Sequence, residues 1–141
     1  MKAIRSGLAA AGLAAALSGL GAGPASAHHS FGFYDMNKSA EIQGVVSQFE
    51  WANPHCWLFV AVAAPDGQAV SYGFEMRSVG EMLRAGWKKN SIKVGDKISV
   101  SFRPMRDGSH AGLLTSAKDA SGAFIGRAPP AGPPPSAAPA G

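Results

Sequence analysis

Four histidines and one cysteine are the side chains of this sequence best suited to chemistry. His28 and His29 stand together after Ala25-Ser26-Ala27, His55 follows Asn53-Pro54 and precedes Cys56, and His110 follows Arg106-Asp107-Gly108-Ser109. If the chain is cut after Ala27, His28 becomes its first residue. Its α-amine and imidazole can then chelate one ion together, a nitrogen-rich arrangement suited to copper. His29, in second place, offers Cu(II) an amine, an amide nitrogen and an imidazole instead. The expected metal ligands are therefore His28, His29 and His55, with His110 and Met105 as weaker members of the set. Only neutral imidazoles bind, so affinity should fall below about pH 6. Met76 and Met82 lie on apolar stripes and read as core. Cys56, next to His55 on an extended segment, must point to the opposite side and reads as a small buried hydrophobe.

Other chemistries find little support. A single cysteine excludes an intramolecular disulfide and covalent haem attachment through two cysteines. No serine sits in a Gly-x-Ser-x-Gly elbow, and no Gly-rich phosphate loop is present. Asp35, Glu50, Glu75 and Asp107 could approach one another, but nothing in their spacing demands it. Non-catalytic binding is the leading expectation. A competing class uses an aromatic sheet face to hold an organic ligand or a protein, and requires at least two of Trp51, Trp57, Tyr72 and Trp87 side by side in one groove. A third, a hydrolase, requires Glu50 or Asp107 within hydrogen-bond reach of His55.

Whether His28 is ever a first residue depends on the N-terminus. Lys2 and Arg5 precede an uncharged Ala/Leu/Gly run, and Pro24 with Ala25-Ser26-Ala27 makes an extended small-residue cleavage site. Residues 1–27 thus read as a signal peptide, placing the mature chain in the periplasm or outside the cell. The run is too weakly apolar for a lasting membrane span, which needs about 20 apolar residues. With Lys2 and Arg5 removed, eleven basic side chains face nine acidic ones, too mild an excess to expect a nucleic-acid partner. Arg84, Lys88, Lys89, Lys93 and Lys97 do cluster, and read as a solvated face.

The elements that must position these residues are mainly strands. Residues 28–39 form an N-terminal arm, 40–126 the folded domain, and 127–141 a Pro/Ala-rich tail that cannot bury enough surface to order itself. Ile42, Gly44 and Val46 alternate, then the pattern shifts by one to Phe49 and Trp51, which predicts a strand bulged near Ser47-Gln48. Cys56 to Val62 is apolar on both parities, predicting a central strand covered on both faces. Pro65-Asp66-Gly67 turns the chain into Val70, Tyr72, Phe74 and Met76. Ser78 and Glu81 form a capping box for a short helix with Val79, Met82 and Leu83 as its apolar stripe, ended by Gly86. Ile98, Val100 and Phe102 make a fourth strand. Leu113, Thr115, Ala117 and then Phe124-Ile125 make a fifth, interrupted one. Three strands, one short helix and two strands in a small domain predict a five-stranded Greek-key barrel of the OB type. In that barrel the loops carrying His55 and His110 flank one cleft.

His28-His29-Ser30-Phe31 with Tyr34-Asp35 resembles the mature N-terminus of a bacterial family of exported proteins known only as a domain of unknown function. Gly44-Val45-Val46, the Asn53-Pro54-His55-x-Trp57 box, Glu75-Met76, Arg84-Ala85-Gly86-Trp87 and Gly95-Asp96-Lys97 extend the match over residues 28–125. The resemblance implies export and the domain's extent, and supplies no activity. Its pattern shares the His-His start and the histidine of the box. Cys56 stands where serine is common, which argues against an essential thiol.

Overall fold

The computed structural model describes residues 31–130. A single turn of 3-10 helix, Phe31–Phe33, leads into five strands and one helix: β1 (Ala40–Glu50), β2 (Trp57–Ala63), β3 (Ala69–Glu75), α1 (Val79–Arg84), β4 (Lys97–Pro104) and β5 (Ala111–Asp119). The strands close into a barrel in the order β1-β2-β3-β5-β4. The expected five-stranded, OB-like barrel with its helix between the third and fourth strands is thus the fold observed.

Closure depends on β1 serving two neighbours. Its first half pairs with β4, from Ala40↔Phe102 to Val45↔Lys97. Its second half pairs with β2, from Val45↔Ala61 to Glu50↔Trp57, with a bulge between Val46 and Gln48. That bulge is where the alternation shifts in sequence, and it turns the strand enough to change partners. Gly44 sits at the changeover. A Cβ there would lie 2.5 Å from the Ala61 carbonyl oxygen and 2.6 Å from Val60 Cγ1, so the strands approach this closely only over glycine.

Inside the barrel, Val46, Cys56, Leu58, Val60, Phe74 and Val100 are fully buried. Each large aliphatic or aromatic member contributes about 1.5–3 kcal/mol of transfer free energy. Met82, Trp87 and Ile92 seal one end and tie α1 and the segment after it into the same core. The α1 capping box forms as expected, with Ser78 Oγ accepting the Glu81 N–H and Glu81 Oε2 accepting the Ser78 N–H.

Sequence expectations for three elements, β2, β5 and α1, require correction. β2 is covered on one face only: Leu58 and Val60 are buried, whereas Trp57 and Phe59 are half-buried and stack together at 6.2 Å on the other side. Their apolarity serves that aromatic pair rather than a second covering layer. In β5 the expected inward parity of Leu113 and Thr115 does not hold. Gly112 and Ala117 are the buried residues, because the pairing slips between Ser101↔Ser116 and Phe102↔Leu114 and leaves Thr115 as the extra residue, exposed. Phe124 does not continue β5 but folds back to bridge Lys118. In α1, Leu83 is exposed; six residues present only Met82 fully to the core.

Candidate functional site

His55 is placed by the loop between β1 and β2. The Asn53–Pro54 peptide bond is cis, and Asn53 Oδ1 accepts the Val79 N–H at 3.0 Å, joining this loop to the start of α1. Beyond the β2–β3 ladder, two further bonds, Cys56 N–H to the Arg77 carbonyl and Met76 N–H to the Cys56 carbonyl, keep the strands paired up to the histidine. Trp57 is opposite Glu75 in register, so His55 lies diagonally across from Glu75 on the same, outer face. His55 Nδ1 stands 2.6 Å from Glu75 Oε1, and both side chains are mostly covered. In this geometry Nδ1–H donates to the carboxylate, which fixes the ring's orientation.

The other oxygen of Glu75 is taken by the arm. Tyr34 OH donates to Glu75 Oε2. Tyr34 is buried. Burial, then the hydrogen bond to Glu75 and its negative charge, push the Tyr34 phenol well above the ordinary tyrosine range. The arm itself is stitched to the end of β4: Asp35 N–H donates to the Pro104 carbonyl at 2.8 Å, and Arg106 N–H to the Phe33 carbonyl at 2.9 Å. Arg103 Nη1 adds a bond to the Lys38 carbonyl at 2.9 Å. Tyr34, Glu75 and His55 therefore form one hydrogen-bonded row across three separate parts of the chain.

This row opens into a cavity of about 490 Å³. The arm contributes Phe33, Tyr34 and Met36; the barrel and the start of α1 add His55, Glu75, Met76, Arg77, Glu81, Arg103, Leu113, Leu114 and Thr115. Arg77 and Glu81 pair at 3.3 Å at its edge. A larger concavity, about 780 Å³, lies elsewhere, over Gly44, Ala61, Ala63 and Ala69, with no histidine in its lining. The chemistry belongs to the smaller one.

Of the expected metal ligands among the described residues, only His55 lines this cavity. His110 is exposed, its ring 4.8 Å from that of Tyr72, and its carbonyl accepts the Gly73 N–H. Met105 bridges Tyr34 through its backbone and does not line the cavity. The convergence of His55 and His110 on one cleft is not realised, because β5 meets β3 at Gly73↔Ala111 and so sets His110 beside Tyr72. His28 and His29 lie outside the described residues, as do the expected signal peptide and the end of the tail. Among the described residues, no group of three His, Cys, Asp or Glu side chains could hold a metal ion. Cys56 is fully buried beneath the loop, and burial pushes its thiol up, as befits a structural residue.

The aromatic face is dispersed. Trp87 is in the core against Phe49, Trp51 also packs on Phe49, Tyr72 lies among Phe74, Phe102 and His110, and Trp57 pairs with Phe59. Trp87 is a member of the core, and Trp51 and Tyr72 are packed against it. Glu75 is the carboxylate beside His55, in place of Glu50 or Asp107. Tyr34 and Glu75 carried no assigned role in sequence; the register set by the β2–β3 turn was the signal that could have found Glu75.

Among the described residues no helix is long and apolar enough to cross a membrane. Comparison with solved structures finds the mitochondrial single-stranded DNA binding protein Rim1 of S. cerevisiae. One crystal form matches with a TM-score of 0.46 and 10% identity, covering 59% of this chain and 92% of that chain. A second, selenomethionine-labelled form matches with a TM-score of 0.43 and 12% identity, covering 64% and 97%. A comparison with curated proteins finds no match. The model of the family of unknown function DUF6152 matches residues 16–116, and the chain belongs to that family.

Proposed function

We propose that this protein is an exported, non-catalytic binding module of the periplasm or extracellular space that holds a transition metal, copper first, through His55 together with His28 and His29. The observation that carries the reading is the Glu75 carboxylate on His55 Nδ1, 2.6 Å away. A metal-bound imidazole almost always donates its other ring N–H to such a group, which fixes the tautomer and raises the basicity of the coordinating nitrogen. Tyr34, bonded to the second oxygen, holds that carboxylate in place.

The arm supports the same reading. Phe33 and Tyr34 are pinned at the cavity, and His29 precedes Phe33 by only four residues. Even fully extended, four residues span about 14 Å. Chain length alone thus keeps His29 within about 14 Å and His28 within about 18 Å of Phe33. Three imidazoles and a free α-amine make a nitrogen-rich set that suits Cu(II).

The test is Cu(II) titration with electron paramagnetic resonance on protein beginning at His28, beside a version with one extra residue before it. Tight nitrogen-rich binding that the extra residue weakens is the expected result. Unchanged copper affinity after replacing His28, His29 and His55 together would overturn the reading. Binding of an organic ligand in the 490 Å³ cavity with no copper affinity would move it to the organic-ligand class.

A further inference from the structure

We propose that the connection between α1 and β4 is a docking surface for an anionic lipid bilayer. From Leu83 to Lys97 the chain carries five cations, Arg84, Lys88, Lys89, Lys93 and Lys97, against one acid, Asp96. The rest of residues 31–130 holds six basic and eight acidic side chains, so the domain's positive charge is concentrated on this one segment. All five cations are exposed, and among the described residues none joins an ion pair. Asp96 offsets one of the five charges and holds a turn, its Oδ2 accepting the Lys93 N–H at 2.8 Å, which leaves a net excess of four cations on the segment.

The segment is presented rather than loose. Trp87, Ile92 and Ile98 are buried anchors, and the residues between them are carried outward. The Lys88–Ser91 turn is closed by two bonds, Ser91 N–H to the Lys88 carbonyl and Lys88 N–H to Ser91 Oγ. At the tip of the next turn Val94 is 70% exposed, and Leu83 beside Arg84 is 54% exposed.

Two bare aliphatic side chains among five cations decide between partners. A bilayer rewards both: aliphatic groups enter the boundary below the headgroups while lysine ammonium groups pair with lipid phosphates above it. Single-stranded nucleic acid would be gripped by aromatic rings, and Trp87, the aromatic of this segment, is buried. None of these residues lines the His55 cavity, and the surface does not depend on metal binding.

The test is co-sedimentation of the full chain with vesicles of phosphatidylcholine alone or mixed equally with phosphatidylglycerol. Residues 1–27, whose Lys2 and Arg5 also favour anionic lipid, are common to every sample, so the readout is the anionic-lipid binding lost on substitution within the segment. Lys88→Glu, Lys89→Glu and Lys93→Glu together should lower that binding by about a hundredfold or more, and raised salt should act in the same direction. Val94→Ser, which leaves the charge alone, should lower it about fivefold. Far-UV circular dichroism and melting should be unchanged in both, since these side chains are exposed. Equal binding to both vesicle types, binding indifferent to the charge reversal, or a preference for a single-stranded oligonucleotide over anionic vesicles would each overturn the proposal.

Discussion

Glu75→Gln separates the roles of the Tyr34–Glu75–His55 row better than deletion of any of its members. The change keeps shape and volume but removes the charge and turns one acceptor into a donor. The carboxylate now accepts from Tyr34 OH on one oxygen and from His55 Nδ1–H on the other. An amide offers one acceptor oxygen and an NH₂ group that can only donate, so either Tyr34 OH or His55 Nδ1 must reverse its role and accept from it. Hydrogen bonds to a charged acceptor contribute about 1.5–3 kcal/mol each against about 0.5–1.5 kcal/mol for neutral ones, so the variant loses the charge assistance of two bonds. A net destabilisation of about 2–3 kcal/mol follows. In a domain of this size each kcal/mol moves the melting temperature by about 4–8 °C, so melting should fall by at least about 8 °C. If His55 is a copper ligand, losing the carboxylate behind it should also weaken Cu(II) about 10–100-fold. Thermal melting of metal-free protein and copper titration of the same variant read the two effects separately. An unchanged melting temperature would refute the hydrogen-bonded row. A lowered melting temperature with unchanged copper affinity would leave the row standing and refute His55 as the ligand it orients.

The remaining predictions follow from neighbouring geometry. Because burial and Glu75 raise the Tyr34 pKa above its unfolded value of about 10, its contribution to stability is complete below pH 10 and lost as pH rises through the native pKa. Urea midpoints measured from pH 9 upward should therefore fall more steeply for the native protein than for Tyr34→Phe. Gly44→Ala drives a methyl to within 2.6 Å of two atoms of β2 and should cost about 1–3 kcal/mol in chemical denaturation. Ser78→Ala removes the cap of α1 and should cost about 1 kcal/mol in the same assay. His110→Ala should leave copper affinity within about twofold, since His110 packs on Tyr72 outside the cavity.

The barrel was legible because its determinants are local. The one-residue slip after Val46 announced the bulge that lets β1 serve both β4 and β2, and Ser78 with Glu81 announced α1. The errors arose where one pattern has two causes. Apolarity on both parities of β2 was read as burial on two faces, but the second parity makes the Trp57–Phe59 stack on the outside. In β5 the extra residue, Thr115, lies between Leu114 and Ser116, and with Leu113 and Leu114 both half-buried no alternation reports the change of parity.

The site was less legible because its three members come from separate segments, yet one of its contacts follows from a turn. Pro65-Asp66-Gly67 closes the hairpin with Ala63 opposite Ala69, and an unbroken antiparallel ladder then places Trp57 opposite Glu75. Two residues further, on the same face, stands His55, within the diagonal reach that side chains use across paired strands. Reading the register outward from the turn, instead of scanning for carboxylates near His55 in sequence, selects Glu75 over Glu50 and Asp107. Tyr34 could not be found this way. Its position is set by the bond between Asp35 and Pro104 and the bridge to Met105, which join the arm to the end of a strand about seventy residues later. The same docking anchors the chain that follows His28 and His29, so the part of the site hardest to read in sequence also bears on the copper reading.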